Sequence, residues 1–489
     1  MLKDLKHTIR QSAVYGLSRV AAKLVSFVLI PLYTAAFVSD TIANINLLES
    51  FWQYLFTIVM FAFETAIVNF CARETNVSKR QKILFNFFIM MLFNSAIVLF
   101  CGFIFSSKLS DIVLNQAGFG NVIFYCFLIS VFEALLIMPL TIARINNKPV
   151  LYTIITVSSL LINLALQIIF IVMLKYGFEF IFLAKFIAPA LMFVIFIPYV
   201  IRNLKLSIDF TEIKNILKFS FPLMLAMLVS LMLNTVDRFI LSDFVSKTDV
   251  AIYTTGYSLG SVTNAFILSP FTLAINVIFW KKIDEDNFRR FMTKSSTYLF
   301  TGMIFVSLVI SLFIYYAIKI FVRNEALWPA VNIIPFILFA NCFAALFTFH
   351  SLDFYYKRNT NVILYIMAAC LAFNFAANII FIKYFGIYAS AVITILSYML
   401  MLLLGHYSTK SFSFTKFELR KVIMLSVLFV IFVSTAFLIR PGNVYLDVLL
   451  KLIMIFLFII TLYFLKFFEP IEIERTKGFF NKYLFSKLK

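Results

Sequence analysis

About fourteen runs of roughly twenty predominantly apolar residues divide this chain, and each is long enough to cross the hydrocarbon core of a bilayer as a helix. They lie near 11–36, 42–70, 83–105, 121–143, 150–174, 178–201, 216–242, 251–279, 295–318, 328–350, 360–382, 386–407, 421–439 and 446–465. Lipid offers no hydrogen bonds to peptide groups, so runs of this length predict helices that satisfy their backbones internally. Composition removes the soluble alternative. Hydrophobic residues make up 63% of the 489 and charged residues 13%, against roughly 25% charged in soluble domains. The expected class is an all-α polytopic membrane protein with about 14 transmembrane helices.

A formal charge of +19 would point to nucleic acid in a soluble chain. Here most Lys and Arg lie between the apolar runs, where they orient helices, and no nucleic-acid partner is expected. With the N-terminus in the cytoplasm, that side receives 30 of them and the other side 8. Both termini are therefore expected to be cytoplasmic. The first run is not a cleavable signal peptide, because Arg19 and Lys23 interrupt it where an uncharged stretch is required. Cys71, Cys101, Cys126, Cys342 and Cys370 are scattered through apolar sequence without C-x-x-C spacing, which fits core thiols.

Phe37-Val38-Ser39-Asp40-Thr41 closes the first run, and Phe244-Val245-Ser246-Lys247-Thr248 closes the seventh, 207 residues later. Six helices return a chain to its starting side, so the two blocks would be parallel repeats about an axis along the membrane normal. The expected organisation is a six-helix lobe over 1–201, a cytoplasmic link at 202–215 and a second lobe over 216–408. A final helix pair with a basic cytoplasmic tail fills 409–489. The lobes would share a central cavity.

Four cations lie inside the runs: Arg19 and Lys23 in the first, Lys185 in the sixth and Arg238 in the seventh. A cation at the bilayer centre costs about 2.5–3.5 kcal/mol on insertion scales, so such groups face protein or water rather than lipid. Ser12, Tyr15, Arg19, Lys23 and Ser26 recur every three or four residues and share one helix face. On the second run Asn46, Glu49, Gln53, Thr57 and Glu64 share one face at spacings of three, four, four and seven. The fourth carries Glu133, the seventh Ser230, Asn234, Asp237 and Arg238, and the eighth Tyr253, Tyr257, Ser261 and Asn264. Polar faces on the leading helices of both blocks fit a cavity through which an anion crosses. The competing reading pairs Arg19 or Lys23 with Glu49 or Glu64 to hold one lobe together, and lets Asp237 and Arg238 snorkel at a helix end.

Soluble-enzyme signatures are missing: no Walker loop, no G-x-G-x-x-G after a strand. His7, His350 and His406 are far apart in sequence and read as residues near helix ends. No catalytic residue, metal or cofactor is expected, and the chain is not expected to be an enzyme.

Tyr15-Gly16-Leu17-Ser18-Arg19, then Lys23, then Pro31-Leu32-Tyr33-Thr34 resembles the opening helix of bacterial polysaccharide flippases of the Wzx type. These belong to the multidrug/oligosaccharidyl-lipid/polysaccharide exporter superfamily. Phe219-Ser220-Phe221-Pro222-Leu223, Asp237-Arg238-Phe239-Ile240-Leu241, Ala251-Ile252-Tyr253 and Phe385-Gly386-Ile387-Tyr388-Ala389-Ser390 are similar to later family motifs, in order. The chain departs from the pattern where Glu64, Tyr388 and Ala251 stand in place of a frequent Gly. Many members also have twelve helices.

The resemblance implies movement of undecaprenyl-pyrophosphate-linked oligosaccharide from the cytoplasmic to the outer leaflet of the bacterial inner membrane, for O-antigen, capsule or exopolysaccharide assembly. Alternating access, coupled to an ion, would drive it, alongside a polysaccharide polymerase and a chain-length regulator. On this view Arg19, Lys23, Lys185 and Arg238 contact pyrophosphate. Tyr15, Gln53, Asn234, Tyr253, Tyr257 and Asn264 line the glycan path, and Glu64, Glu133 and Asp237 are candidate ion carriers. The alternatives are a flippase for the peptidoglycan lipid precursor, and a cation-coupled drug antiporter of the same superfamily.

Overall fold

The computed structural model describes residues 28–469, apart from 73, 75, 147, 358, 360, 440 and 441. Among these residues every regular element is a helix. They are α1 (28–36), α2 (Ser39–Met60), α3 (Phe63–Ala72), α4 (Val77–Leu114), α5 (Gly120–Ile145), α6 (Pro149–Gln167), α7 (Glu179–Arg202), α8 (Phe210–Phe244), α9 (Lys247–Gly260), α10 (Ser269–Lys282), α11 (Phe288–Phe321), α12 (Ile334–Tyr356), α13 (Asn361–Phe385), α14 (Ile387–Thr409), α15 (Leu419–Leu438) and α16 (Val444–Phe464). Thirteen stretches of the described residues are long and apolar enough to cross a membrane.

Local sequence sets the starts and breaks. Asn76, Asp209 and Asn443 each cap a helix by accepting two backbone N–H bonds, at α4, α8 and α16. α8 therefore begins at Phe210, inside the expected link between lobes, and only 203–209 remains extended or turned. The second run is not one helix. Phe61 and Ala62 both take left-handed backbone, with φ of 48° and 57°, a costly conformation for residues bearing a Cβ. This break corrects the expected stripe, because Glu64 sits on α3, off the continuous face of α2. Wide π-helical turns follow α6 at Ile168–Met173 and α9 at Asn264–Leu268. Gly386, at φ 56°, makes the reversal between α13 and α14 that the Phe385-Gly386-Ile387 motif foreshadows.

The chain divides into two compact units. The first holds residues up to Ser258 together with Ile318–Ile333 and Asn361–Ser397. α5 lies at its centre, packed on α2, α4, α6 and α7, while α8 packs on α2 and α13. Lipid is as apolar as the side chains, so helix association rests on close packing rather than on escape from water. Phe supplies much of it: Phe63–Phe87 and Phe132–Phe186 meet edge to face, with centroids 5.7 and 5.4 Å apart, geometries worth about 0.5–1.5 kcal/mol beyond area. With only 12 Gly and 63 Phe, interlocking rings stand where small residues would let backbones touch. Gly256 is an exception. A Cβ there would stand 2.9 Å from Ile333 Cβ and 3.2 Å from the Ala330 carbonyl oxygen.

The second unit holds Leu259–Ala317, Ile334–Thr360 and the chain from Tyr398 onward. Its α12 is largely buried. Fully buried Asp353 accepts from the Ser413 hydroxyl at 2.7 Å and the Phe414 N–H at 3.2 Å, fixing the turn after α14. On α16, Lys451 and Asp447 form a buried ion pair that takes a further bond, 2.5 Å, from the Tyr316 hydroxyl of α11.

Candidate functional site

Helix spacing on α2 brings Asn46, Ser50 and Tyr54 to one face, each four residues after the last. In the first unit that face meets α8 and α9. Asn46 Nδ2 donates to Thr254 Oγ1 at 2.8 Å, Arg238 Nη1 donates to Ser50 Oγ at 3.0 Å, and the Tyr54 and Thr235 hydroxyls bond each other. The guanidinium carbon of Arg238 also lies 5.0 Å from the centre of the Tyr257 ring, a cation–π arrangement. Arg238 Nε is buried and has no partner among the described residues. The cation is thus held on two sides, with one donor unspent.

Asp237 turns the other way. It is 2% exposed and accepts from the Tyr253 hydroxyl and from the Arg238 backbone N–H at 2.9 Å. Adjacent positions on a helix point about 100° apart, so the two charges address different surroundings instead of snorkelling together. Asn234 Nδ2 bonds the Ser230 carbonyl at 2.6 Å, and its Oδ1 faces the Tyr257 hydroxyl at 3.4 Å. Gln53 is half-buried on α2. Asn234, Asp237, Arg238, Tyr253 and Tyr257 therefore lie together where α8 meets α9.

Beyond this cluster the same end of the unit is closed by further side chains. Lys247 Nζ donates to Asn44 Oδ1 and to the Leu114 carbonyl, both at 2.9 Å, and Thr248 donates to Asp40 at 3.1 Å. Asn115 Nδ2 donates to Asp243 at 3.0 Å, and the Arg323 N–H donates to Thr34 Oγ1 at 3.0 Å. Asp40 with Thr248 and Asn46 with Thr254 are each 208 residues apart, one more than the offset of the matching segments. α2 and α9 thus meet at nearly equal distances from the two matching turns.

The other candidates lie elsewhere. Lys185 on α7 forms an ion pair with Glu49 on α2 and stands 5.6 Å from the Trp52 ring centre. Its charge also acts on Glu133 of α5. Beside them Tyr33 donates to Gln167 Oε1 at 2.5 Å, and Gln167 donates to Asn163 at 2.8 Å. Glu64 pairs with Arg144 at 2.9 Å. Arg144, with Arg80, Glu74 and Cys71, lines a cavity of about 310 Å³. Arg144 falls just past the apolar run 121–143, yet it lies inside the last turn of α5. Asn264 belongs to the second unit, where its Nδ2 donates to Asn341 Oδ1 at 2.9 Å while its own Oδ1 is buried without a partner among the described residues. Tyr15, Arg19 and Lys23 lie outside the described residues.

Two further readings change. His350 and His406, distant in sequence, stand 6.0 Å apart by ring centroids, because the last turns of α14 meet α12 in the second unit, where Gly405 lies against His350 and Phe347. His350 is fully buried and bonds Thr409 at 2.9 Å. Among the described residues no group of His, Cys, Asp and Glu could hold a metal ion.

Residues 8–279 match the family described as polysaccharide biosynthesis protein. No curated protein matches the chain in sequence. Among solved structures the fold is similar to that of a lipid II flippase in an inward closed conformation, at 15% identity and TM-score 0.72, covering 93% of this chain and 99% of that one. It is also similar to an inward-facing multidrug resistance MATE family transporter of the MOP superfamily, at 14% identity and TM-score 0.64, covering 84% and 98%. A MATE transporter of Vibrio cholerae follows at 13% identity and TM-score 0.55, covering 84% and 98%.

Proposed function

The chain belongs to the polysaccharide biosynthesis protein family and has the fold of multi-pass membrane transporters, and from that premise we propose that it flips a lipid-linked oligosaccharide. The substrate is undecaprenyl-pyrophosphate-linked glycan. It moves from the cytoplasmic to the outer leaflet of a bacterial inner membrane, with both chain termini in the cytoplasm, and feeds a surface-polysaccharide polymerase. The protein makes and breaks no bond of the substrate.

The observation that carries this reading is Arg238, whose partners Ser50 and Tyr257 lie on α2 and α9 and leave Nε free. A guanidinium held away from bulk water favours a pyrophosphate oxygen through charge-assisted bonds. Those bonds would replace the one to Ser50 as the closed end opens. The hydroxyls of Tyr253 and Tyr257 and the amide of Asn234 offer donors and acceptors to sugar. Asp237, Glu133 and Glu64 remain the acidic groups available for ion coupling.

The test is the leaflet location of lipid-linked glycan in cells lacking the protein. Accumulation on the cytoplasmic leaflet, relieved by wild type but not by a normally expressed Arg238→Gln variant, supports the reading. Unchanged glycan export without the protein sinks it. The similarity to a lipid II flippase favours one second reading, a peptidoglycan-precursor flippase, which the same cells distinguish by arrested wall synthesis and accumulated lipid II. Resistance to cationic drugs, lost with the protein while glycan export persists, would favour the antiporter instead.

A further inference from the structure

The second unit contains a cavity of about 560 Å³ where α15 begins and α16 ends. Its chemistry changes across its width. Tyr463 and Phe464 are exposed at the last turn of α16, and Phe467 is buried behind them. Lys421 stands over the Phe467 ring, 5.1 Å from its centre. Lys466 is exposed, and its side chain has no partner among the described residues. Aromatic residues flanked by lysines at the end of an apolar span occupy the depth of lipid headgroups.

The two carboxylates at the cavity are already engaged. Glu418 accepts from Lys294 at 2.9 Å and from the Thr297 hydroxyl at 2.7 Å, while Glu469 accepts from Lys294 at 2.5 Å and lies 3.5 Å from Arg290. Burial works against ionisation of Glu418, but these bonds hold it below the usual glutamate range. The Lys294 bond does the same for Glu469. Two carboxylates share Lys294 and Arg290, and Lys421 and Lys466 bring the cluster to a net positive charge.

From this geometry we infer that the cavity between the start of α15 and the end of α16 binds the headgroup of an anionic phospholipid. The lysine ammonium groups meet the phosphate oxygens, and the exposed rings of Tyr463 and Phe464 flank the acyl chains. Transport of the glycan lipid is a separate reading. The site is tied to α16, whose apolar length fixes its depth, and a resident lipid there would seal the helix pair to its membrane.

Native mass spectrometry of the full chain in detergent, with added phosphatidylglycerol or phosphatidylcholine, tests the inference. Each lysine near an anionic lipid contributes about fivefold in affinity. Lys466→Gln should therefore weaken phosphatidylglycerol binding about fivefold, and Lys421→Gln/Lys466→Gln further, with phosphatidylcholine unaffected. Lys421 also lies 3.3 Å from Glu418, so its loss disturbs the Lys294 cluster, whereas Lys466 has no partner among the described residues and its single variant keeps the test decisive. Undiminished phosphatidylglycerol binding in Lys466→Gln overturns the site. Retention of added undecaprenyl pyrophosphate against excess phosphatidylglycerol, lost in the variants, would overturn the phospholipid assignment in favour of the transported lipid.

Discussion

Lys185 and Glu49 join α7 to α2 as an ion pair, with the ammonium also 5.6 Å from the ring centres of Trp52 and Phe182. The aromatic rings shield it, and the Lys185 side chain is only 12% exposed. Removing one member leaves the other charge without its partner in a place of low polarity. Glu49→Gln should lower stability by about 2 kcal/mol, less than a fully buried pair would lose because Glu49 keeps contact with the surroundings. Glu49→Leu/Lys185→Met should recover most of it, as read by thermal unfolding in detergent. If Glu49→Gln unfolds like wild type, the pair holds nothing together.

Arg238→Gln removes the charge that the transport reading depends on. Loss of a charge-assisted bond to a pyrophosphate oxygen corresponds to roughly tenfold or more in transport. Flipping of lipid-linked glycan in proteoliposomes should fall by that factor, and Ser50→Ala should fall less. Full activity in Arg238→Gln would remove Arg238 from the substrate path.

Lys247 fastens the turn after α8 to α2 and α4 through Asn44 and the Leu114 carbonyl. Lys247→Ala gives up two charge-assisted bonds that tie this end together in the structure, so the population should move toward any form in which the end is apart. A cysteine introduced at fully buried Thr254, in a chain otherwise free of cysteine, should then react faster with an impermeant maleimide added to cells. Equal reaction rates would show that the closure does not rest on Lys247.

Gly256 allows the close approach of α9 to the 325–333 segment. Gly256→Ala drives a methyl against Ile333 and a backbone carbonyl that cannot rotate away, a strain of about 1–3 kcal/mol. Gly302, whose Cβ would meet nothing within 4 Å, provides the comparison. Thermal unfolding should show a loss for Gly256→Ala and none for Gly302→Ala.

The Lys294 cluster carries a pH signature. Glu418 and Glu469 are held below the usual glutamate range in the fold. Their contribution is therefore present above the unfolded value of about 4.3 and disappears as pH falls through the lower folded values. Between pH 7 and 5 wild type should lose little through these groups, then destabilise below about pH 4. Lys294→Met should flatten that acid limb; an unchanged limb would mean the carboxylates are not held by Lys294.

Much of the fold is legible in the chain because lipid imposes a single solution on apolar runs. The stripes through Asn234, Tyr253 and Tyr257 gave their faces correctly, since period alone decides which residues share a side. The breaks were not legible. Nothing in Phe61-Ala62 announces left-handed backbone, as neither residue prefers it, and tertiary packing alone can hold them there. Partner choice was equally hidden. Glu49 and Glu64 take Lys185 and Arg144, because charge pairing depends on which helices pack: α5 lies against α2 and α3, and the long Lys185 side chain reaches α2 from α7. Arg144 itself was concealed by its position at a run's end, where loop and helix look alike. Gly256 and Gly260, four residues apart, carried a close-packing signal that could have been read.

The link between α7 and α8 is sewn to α4: the Lys205 N–H meets the Gln81 carbonyl at 3.3 Å, the Asp209 N–H meets Asn86 Oδ1 at 3.2 Å, and Asn86 Nδ2 reaches Glu212 at 3.1 Å. The first turn of α8 is thereby moored to the preceding block, and a swing of that helix cannot begin at the loop. Further along, the Pro222 ring removes a backbone bond inside α8 and makes that level the weaker part of the helix. There Phe221 lies 6.2 Å from Phe61, at the break between α2 and α3. The broken backbone of one helix and the proline of its neighbour thus share one level of the unit.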